Sequence, residues 1–290
     1  MRAIVAAFLV LMFTAAAQAA DRWMTLPEPP SMPAADESGF ARVNGIQMYY
    51  AVYGEGSPVL LIHGGLSHAD VWANQVPKLV EAGHKVIVAD SRGHGRSTRT
   101  AEPFGYDLMA SDYVKLLDHL EIDRVALVGW SDGGIIGLAI AMTHPQRLTR
   151  LFAHAANVTT DGVLPNLDGH PVFGGFMQRM RADYDRLHDW SSRQRGETPA
   201  GSDYDAFMEQ IGQMWASQPS WTAQQLAAIG VPAAIVIGDH DEAISRAHTE
   251  YMAKAIPGAT LVILPQVSHF AMLQDPDGYT AAVLGVLDGK

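Results

Sequence analysis

The run Val125 to Gly134, reading VALVGWSDGG, constrains this chain more than any other stretch. Val125 to Val128 are apolar and mostly branched, and read as a buried strand. Asp132 to Met142 is apolar and almost free of charge, and reads as a helix packed on a sheet. Between them lies Gly129-Trp130-Ser131-Asp132-Gly133, an instance of Gly-x-Ser-x-Gly. In that pattern the serine occupies a strained strand-to-helix turn that holds its hydroxyl clear of the backbone. The flanking glycines admit neighbouring backbone where a side chain would clash. The helix N-terminus beneath the serine favours negative charge as it develops. One such pentapeptide also describes an ordinary glycine-bearing turn with a surface serine, so the weight falls on its partners.

A serine hydroxyl needs a base within hydrogen-bond reach, and the base needs a group that fixes its tautomer and stabilises its cation. Both follow Ser131 in the order Ser, Asp, His. The apolar strand Ala233 to Ile237 ends in Gly238-Asp239-His240-Asp241, and the strand Leu261 to Leu264 is followed by a turn and then His269. Each group lies just past the C-terminal end of a strand, where reacting groups collect in open α/β sheets. Asp241 is placed ahead of its rival Asp239 because it stands beyond the tight turn that Gly238 begins. His269 is one of twelve histidines, and any one could be a surface or capping residue; its place after the last expected strand singles it out. Acyl transfer also needs N–H donors for the developing oxyanion. The strand Val59 to Ile62 runs into His63-Gly64-Gly65-Leu66, which offers Gly65 or Leu66 as one donor, with the N–H of Asp132 as the other. His63 is expected to brace the loop.

Together these residues resemble the α/β-hydrolase superfamily. The resemblance spans roughly Val43 to Leu287 and includes the landmark Asp90-Ser91-Arg92-Gly93-His94-Gly95-Arg96-Ser97. It implies a mainly parallel eight-stranded sheet flanked by helices, with an inserted helical lid. It assigns Ser131 as nucleophile, Asp241 as acid and His269 as base. The elbow Gly-Trp-Ser-Asp-Gly-Gly is similar to that of the valacyclovir-hydrolase (biphenyl-hydrolase-like) esterases, and Trp215 and Trp221 fall where that group also has tryptophans. Members of that group hydrolyse esters of amino acids. The resemblance therefore makes Trp130 and Asp132 candidate substrate-binding residues, with Asp132 pairing a substrate ammonium if water is kept out. The plainer alternative is that Asp132 caps the helix it begins. Epoxide hydrolases and dehalogenases of this fold attack with a carboxylate; here the central position is Ser131, and shifting to Asp132 would break the glycine spacing.

Arg2, the uncharged apolar stretch Ala3 to Ala16 and the small-x-small site Ala17-Gln18-Ala19 read as a secretory signal peptide over residues 1–19. Residues 20–40 carry several prolines and few hydrophobics and read as an extended or mobile leader. Strands are expected at Ala41 to Val52, Pro58 to Ile62, Lys85 to Asp90 and Leu151 to Ala156, and helices at Ala69 to Ala82 and Tyr106 to Leu120. This alternation indicates a parallel sheet. Residues 157–221 interrupt it with helical spacing and many aromatics, and read as the lid, leaving 41–156 and 222–290 as the core.

The chain has no cysteine and a formal net charge of −11. A core of this size needs no disulfide staples even in an exported protein, and a thiolate nucleophile or thiolate metal site is excluded. An acidic chain without a basic block is a poor nucleic-acid binder. Arg92, Arg96 and Arg99 form the one local basic cluster and read as a salt-bridged loop. No ligand cluster stands out, so neither metal nor cofactor is expected. The expected partner is a small-molecule ester, with no membrane association after signal cleavage. The expectation is an exported, periplasmic or secreted serine hydrolase acting on small to medium carboxylic esters. The same triad also serves lactone, amide and carbon–carbon hydrolysis or perhydrolysis, and a non-catalytic ligand-binding member of the fold would look alike.

Overall fold

The structure, a computed structural model, describes residues 21–289; the signal peptide expected at residues 1–19 lies outside them. Strands β1 (Glu37–Val43) and β2 (Ile46–Tyr53) form an antiparallel hairpin. One strand is expected over Ala41 to Val52, but the alternation of Ala41 and Val43 shifts phase by one residue before Ile46, Met48 and Tyr50. The chain instead reverses at Asn44 and Gly45, whose φ angles of 40° and 80° are those a two-residue I′ turn requires. β1 thus begins inside the segment read as leader.

Strands β3 (Ser57–Ile62), β4 (His84–Ala89), β5 (Val125–Trp130), β6 (Leu148–His154), β7 (Ala233–Gly238) and β8 (Thr260–Leu264) complete an eight-stranded sheet of order β1-β2-β4-β3-β5-β6-β7-β8. β2 runs antiparallel to both neighbours, and every pair from β4 to β8 is parallel. β5 and β7 are buried along their whole length, as parallel strands covered on both faces are. The order reverses around β3, so the ends of β3 and β5 form the crevice where such sheets bind ligands.

Helix α1 (Gln75–Glu81) is shorter than the helix expected over Ala69 to Ala82, which splits into a 3₁₀ turn at Ala69–Trp72 and α1. Pro77 has no N–H to give the carbonyl of Ala73, so a helix running through that point is interrupted. Helix α2 (Tyr106–His119) and helix α3 (Asp132–Thr143) pack on each other, and ten of the twelve residues of α3 are buried. Between β6 and β7 lie the long helix α4 (Pro171–Gln194) and α5 (Tyr204–Trp215). Val172, Phe176, Met180, Tyr184 and Leu187 make the buried face of α4 at the three-to-four-residue spacing of an amphipathic helix. The insertion closes on itself: Trp221 N–H donates to the Val158 carbonyl at 2.9 Å, and Thr159 and Ser220 form an isolated bridge. Helices α6 (Ala223–Ala227), α7 (Arg246–Ala255), α8 (Ala271–Gln274) and α9 (Pro276–Leu287) complete the chain. Among the described residues, no helix is long and apolar enough to cross a membrane.

The three arginines of the basic cluster each face an aspartate: Arg92 with Asp112, Arg96 with Asp90 and Asp70, Arg99 with Asp203. The Arg92 guanidinium is 0% exposed and meets Asp112 through Nε at 2.9 Å and Nη2 at 2.8 Å. Removing one partner of a buried pair strands the other charge. Arg92→Ala is therefore expected to cost about 3–5 kcal/mol of stability, read as a lowered denaturant midpoint with an unchanged slope.

Candidate active site

Ser131 stands between β5 and α3 with φ 55° and ψ −121°, a region that costs a non-glycine residue about 1–3 kcal/mol. Local packing imposes it. A Cβ on Gly129 would lie 2.2 Å from the Gly133 carbonyl oxygen, and one on Gly133 would lie 2.1 Å from that of Ile62. The turn is thus pressed against both itself and β3, and only glycine fits at either position. The Ser131 N–H donates to the His154 carbonyl at 2.8 Å, which ties the turn to β6.

Of the two aspartates after β7, Asp241 meets His269: its Oδ1 and Oδ2 lie 3.1 and 3.2 Å from Nδ1. Asp239 instead accepts from the Val267 N–H. Asp241 Oδ1 also accepts from the N–H groups of Ala243 and Ile244, at 2.9 and 2.8 Å. Burial alone would raise the Asp241 pKa, but the His269 charge and these hydrogen bonds hold it below the usual carboxylate range. Burial alone would lower that of His269, yet the Asp241 charge and hydrogen bond, with Glu242 and Asp132, leave it raised. The pair is thus arranged to stabilise an imidazolium.

Ahead of α1, the Ser67 N–H donates to the Gly64 carbonyl, closing a turn in which Leu66 takes φ 64°. Gly65, Leu66 and Asp132 line the same cavity as Ser131 and His269. His63 accepts the Ser91 N–H at Nε2, which leaves Nδ1 to donate to the Gly64 carbonyl at 2.7 Å. Burial lowers its pKa to about 4. His63 is therefore a neutral brace between two loops.

The cavity measures about 450 Å³, within the range of small-molecule sites. Leu66, Val163, Leu167, Phe173, Phe176, Met177 and Ile244 make its wall mostly apolar, and Trp130 also faces it. Asp132 does not cap α3, whose cap residue Ser131 likewise makes no side-chain capping bond. Its carboxylate accepts from the Tyr106 hydroxyl at 2.8 Å and from the Trp215 indole N–H at 2.9 Å. Burial raises its pKa against the pull of those two donors. Trp215 comes from α5, so this carboxylate joins the core to the lid inside the cavity wall.

Tyr106 and Glu242 are site residues that sequence reasoning misses. Tyr106 looks like the first residue of an ordinary helix, and its partner stands 26 positions away. Glu242 accepts the His269 backbone N–H at 3.0 Å; beside Asp241 it reads as one more loop carboxylate. Of the lid aromatics, Phe173, Phe176 and Trp215 reach the cavity, whereas Tyr184, Tyr204 and Phe207 pack on one another. Among the described residues no group of three or more His, Cys, Asp or Glu is placed to hold a metal ion.

A strained serine on a strand-to-helix turn, facing a carboxylate-bound histidine across one cavity, defines a class of protein. A family model described as the alpha/beta hydrolase fold matches residues 57–220, over half of the chain, and the chain belongs to that family of hydrolases. It is similar to the human serine hydrolase BPHL, 28% identical over 252 residues that cover 82% of this chain and 81% of that one. It is also similar to rhodomycin D methylesterase DnrP of Streptomyces peucetius, 29% identical over 266 residues, covering 78% and 89%. A solved hydrolase from Pseudomonas aeruginosa PA01 superimposes with a TM-score of 0.68 at 27% identity, over 88% of this chain and 99% of that one.

Proposed function

We propose that the protein is a serine esterase that cleaves small to medium carboxylic esters through an acyl-enzyme. His269 takes the proton from Ser131 as its Oγ attacks the ester carbonyl. The oxyanion faces the N–H of Asp132 and that of Gly65 or Leu66. Collapse breaks the bond to the alkoxy oxygen, and His269 returns the proton to the departing alcohol. Water then attacks the acyl-enzyme, deprotonated by the same imidazole, and the acid leaves. The observation that carries this reading is the convergence of Ser131 and His269 on one cavity, with Asp241 on the other ring nitrogen. The N-terminal segment makes the enzyme an exported one in this reading. Turnover of p-nitrophenyl acetate, butyrate and octanoate, with Ser131→Ala as control, tests the function. Turnover equal to the control moves the activity to a lactone or carbon–carbon bond, or to a binding role.

A second reading rests on Asp132. Its buried carboxylate has two neutral donors and faces the cavity, so it suits a substrate ammonium, and BPHL is among the similar proteins. In this reading Asp132→Asn lowers kcat/KM for aminoacyl esters about 10-fold or more relative to neutral esters of the same size. Equal losses on both series reject ammonium recognition and leave Asp132 as a tie between core and lid.

A further inference from the structure

The segment before β1 has no apolar periodicity, yet its carbonyls and side chains are held by groups that bear on the candidate active site. Gln274, at the end of α8, is buried, with 8% exposure. Its Oε1 accepts from the N–H of Ser268, the residue before His269, at 2.7 Å. Its Nε2 donates to Ser268 Oγ at 2.9 Å and to the Thr25 carbonyl at 2.8 Å, with the Trp23 carbonyl at 3.4 Å. One amide thus joins the histidine loop to the N-terminal segment. The Trp23 indole stacks on His240, with ring centroids 3.7 Å apart and planes 5° from parallel; His240 directly precedes Asp241. Arg179 of lid helix α4 donates to the carbonyls of Leu26 at 2.8 Å and Pro27 at 3.1 Å, and pairs with Glu28. Arg22 closes the other side by pairing with Asp275 at 2.9 Å. The acid loop, the histidine loop and the lid therefore share one strap.

We propose that residues 22–28, through Gln274, are a positioning strap for the catalytic pair, holding the Asp241 loop, the His269 loop and helix α4 in register. The proposal rests on the triad reading above and adds to it. Hydrogen bonds from one buried amide fix the backbone immediately ahead of the imidazole. The stacked indole fixes the backbone immediately ahead of the carboxylate. Releasing either lets the 3.1 Å contact between Asp241 and His269 lengthen, and misplacement on the ångström scale can cost about 100-fold in rate. Gln274 and Trp23 are positioning residues, since neither lines the cavity.

The test measures the rate at which a fluorophosphonate phosphonylates the full-length protein, as a function of pH. The phosphorus–fluorine bond breaks as the Ser131 oxygen–phosphorus bond forms, with His269 taking the serine proton. This rate reads the serine and histidine whatever the natural substrate. Trp23→Ala and Gln274→Met are each expected to slow labelling about 10–100-fold and to move the acid limb of the profile to lower pH. That direction follows because His269 loses the support of Asp241 most when the loops separate, while Glu242, Asp132 and His154 remain around it. Trp23→Tyr restores a stacking ring and is expected to restore both rate and limb. Trp23 is half-buried and lies outside the hydrophobic core, so its variant stays folded even if Gln274→Met does not. Variants that lose thermal stability but label at the wild-type rate with the wild-type limb overturn the strap alone. A wild-type protein that is not labelled at all overturns the triad reading and the strap with it.

Discussion

Ser131→Ala is expected to abolish ester turnover, a loss of about 10⁶-fold in kcat by the precedent of such triads, in a protein that remains folded. The substitution removes one oxygen and keeps the Cβ. The Ser131 side chain makes no capping hydrogen bond to α3, and the positive φ is imposed by the Gly129 and Gly133 contacts rather than by the hydroxyl. The unfolding midpoint should therefore stay near that of the wild type. Residual catalysis would come from binding and from the oxyanion donors. A folded Ser131→Ala protein that still turns over p-nitrophenyl butyrate at the wild-type rate contradicts the mechanism.

Asp241→Asn is expected to lower kcat by about 10⁴-fold with little change in KM. The reason is local. Asp241 Oδ1 already accepts from the N–H groups of Ala243 and Ile244, so the amide oxygen of an asparagine is held on that side. Its NH₂ group then takes the place of Oδ2, 3.2 Å from Nδ1 of His269, beside the amide oxygen at 3.1 Å, so the ring is no longer held in one tautomer and no carboxylate stabilises its cation. In the tautomer that the NH₂ group favours, the ring proton sits on Nε2, where a proton from Ser131 would have to land, and the base is lost. The pH profile follows with a definite sign. Catalysis needs neutral His269, so wild-type kcat/KM falls as pH drops through a His269 pKa raised above the ordinary 6.5. Asp241→Asn removes the largest raising influence, and the acid limb of its residual activity moves to lower pH. A limb that stays in place in this variant points to a different acid or a different base.

The sheet and the elbow were legible because their signals are short-range. Val125 to Gly134 carries strand, turn and helix in ten consecutive residues, and the glycine spacing answers to carbonyls 2.1 and 2.2 Å from the missing Cβ atoms. The order of Asp241 and His269 was readable because each follows an apolar strand. Asp241 is placed ahead of Asp239 by its position beyond the Gly238 turn, and Asp241 is the one that lies 3.1 Å from Nδ1. The Asn44–Gly45 reversal carried a signal that the single-strand expectation passed over: the dipeptide is itself a hairpin signal, and the apolar alternation changes phase across it. Asp132 stood open between a helix cap, as helix-start aspartates usually are, and a substrate-binding carboxylate; its donors, Tyr106 and Trp215, lie on two other helices. The N-terminal strap left no mark for a different reason. It is held in large part through the carbonyls of Trp23, Thr25, Leu26 and Pro27, and every residue has a carbonyl.

The most direct measurement is to acid-quench the protein during turnover of p-nitrophenyl butyrate and map the adduct by peptide mass. A single butyryl group is expected, carried by the peptide that contains Ser131, and lost when Ser131 is replaced by alanine. A butyryl group on another residue, or brisk turnover with no adduct in a protein rapidly quenched, would contradict it.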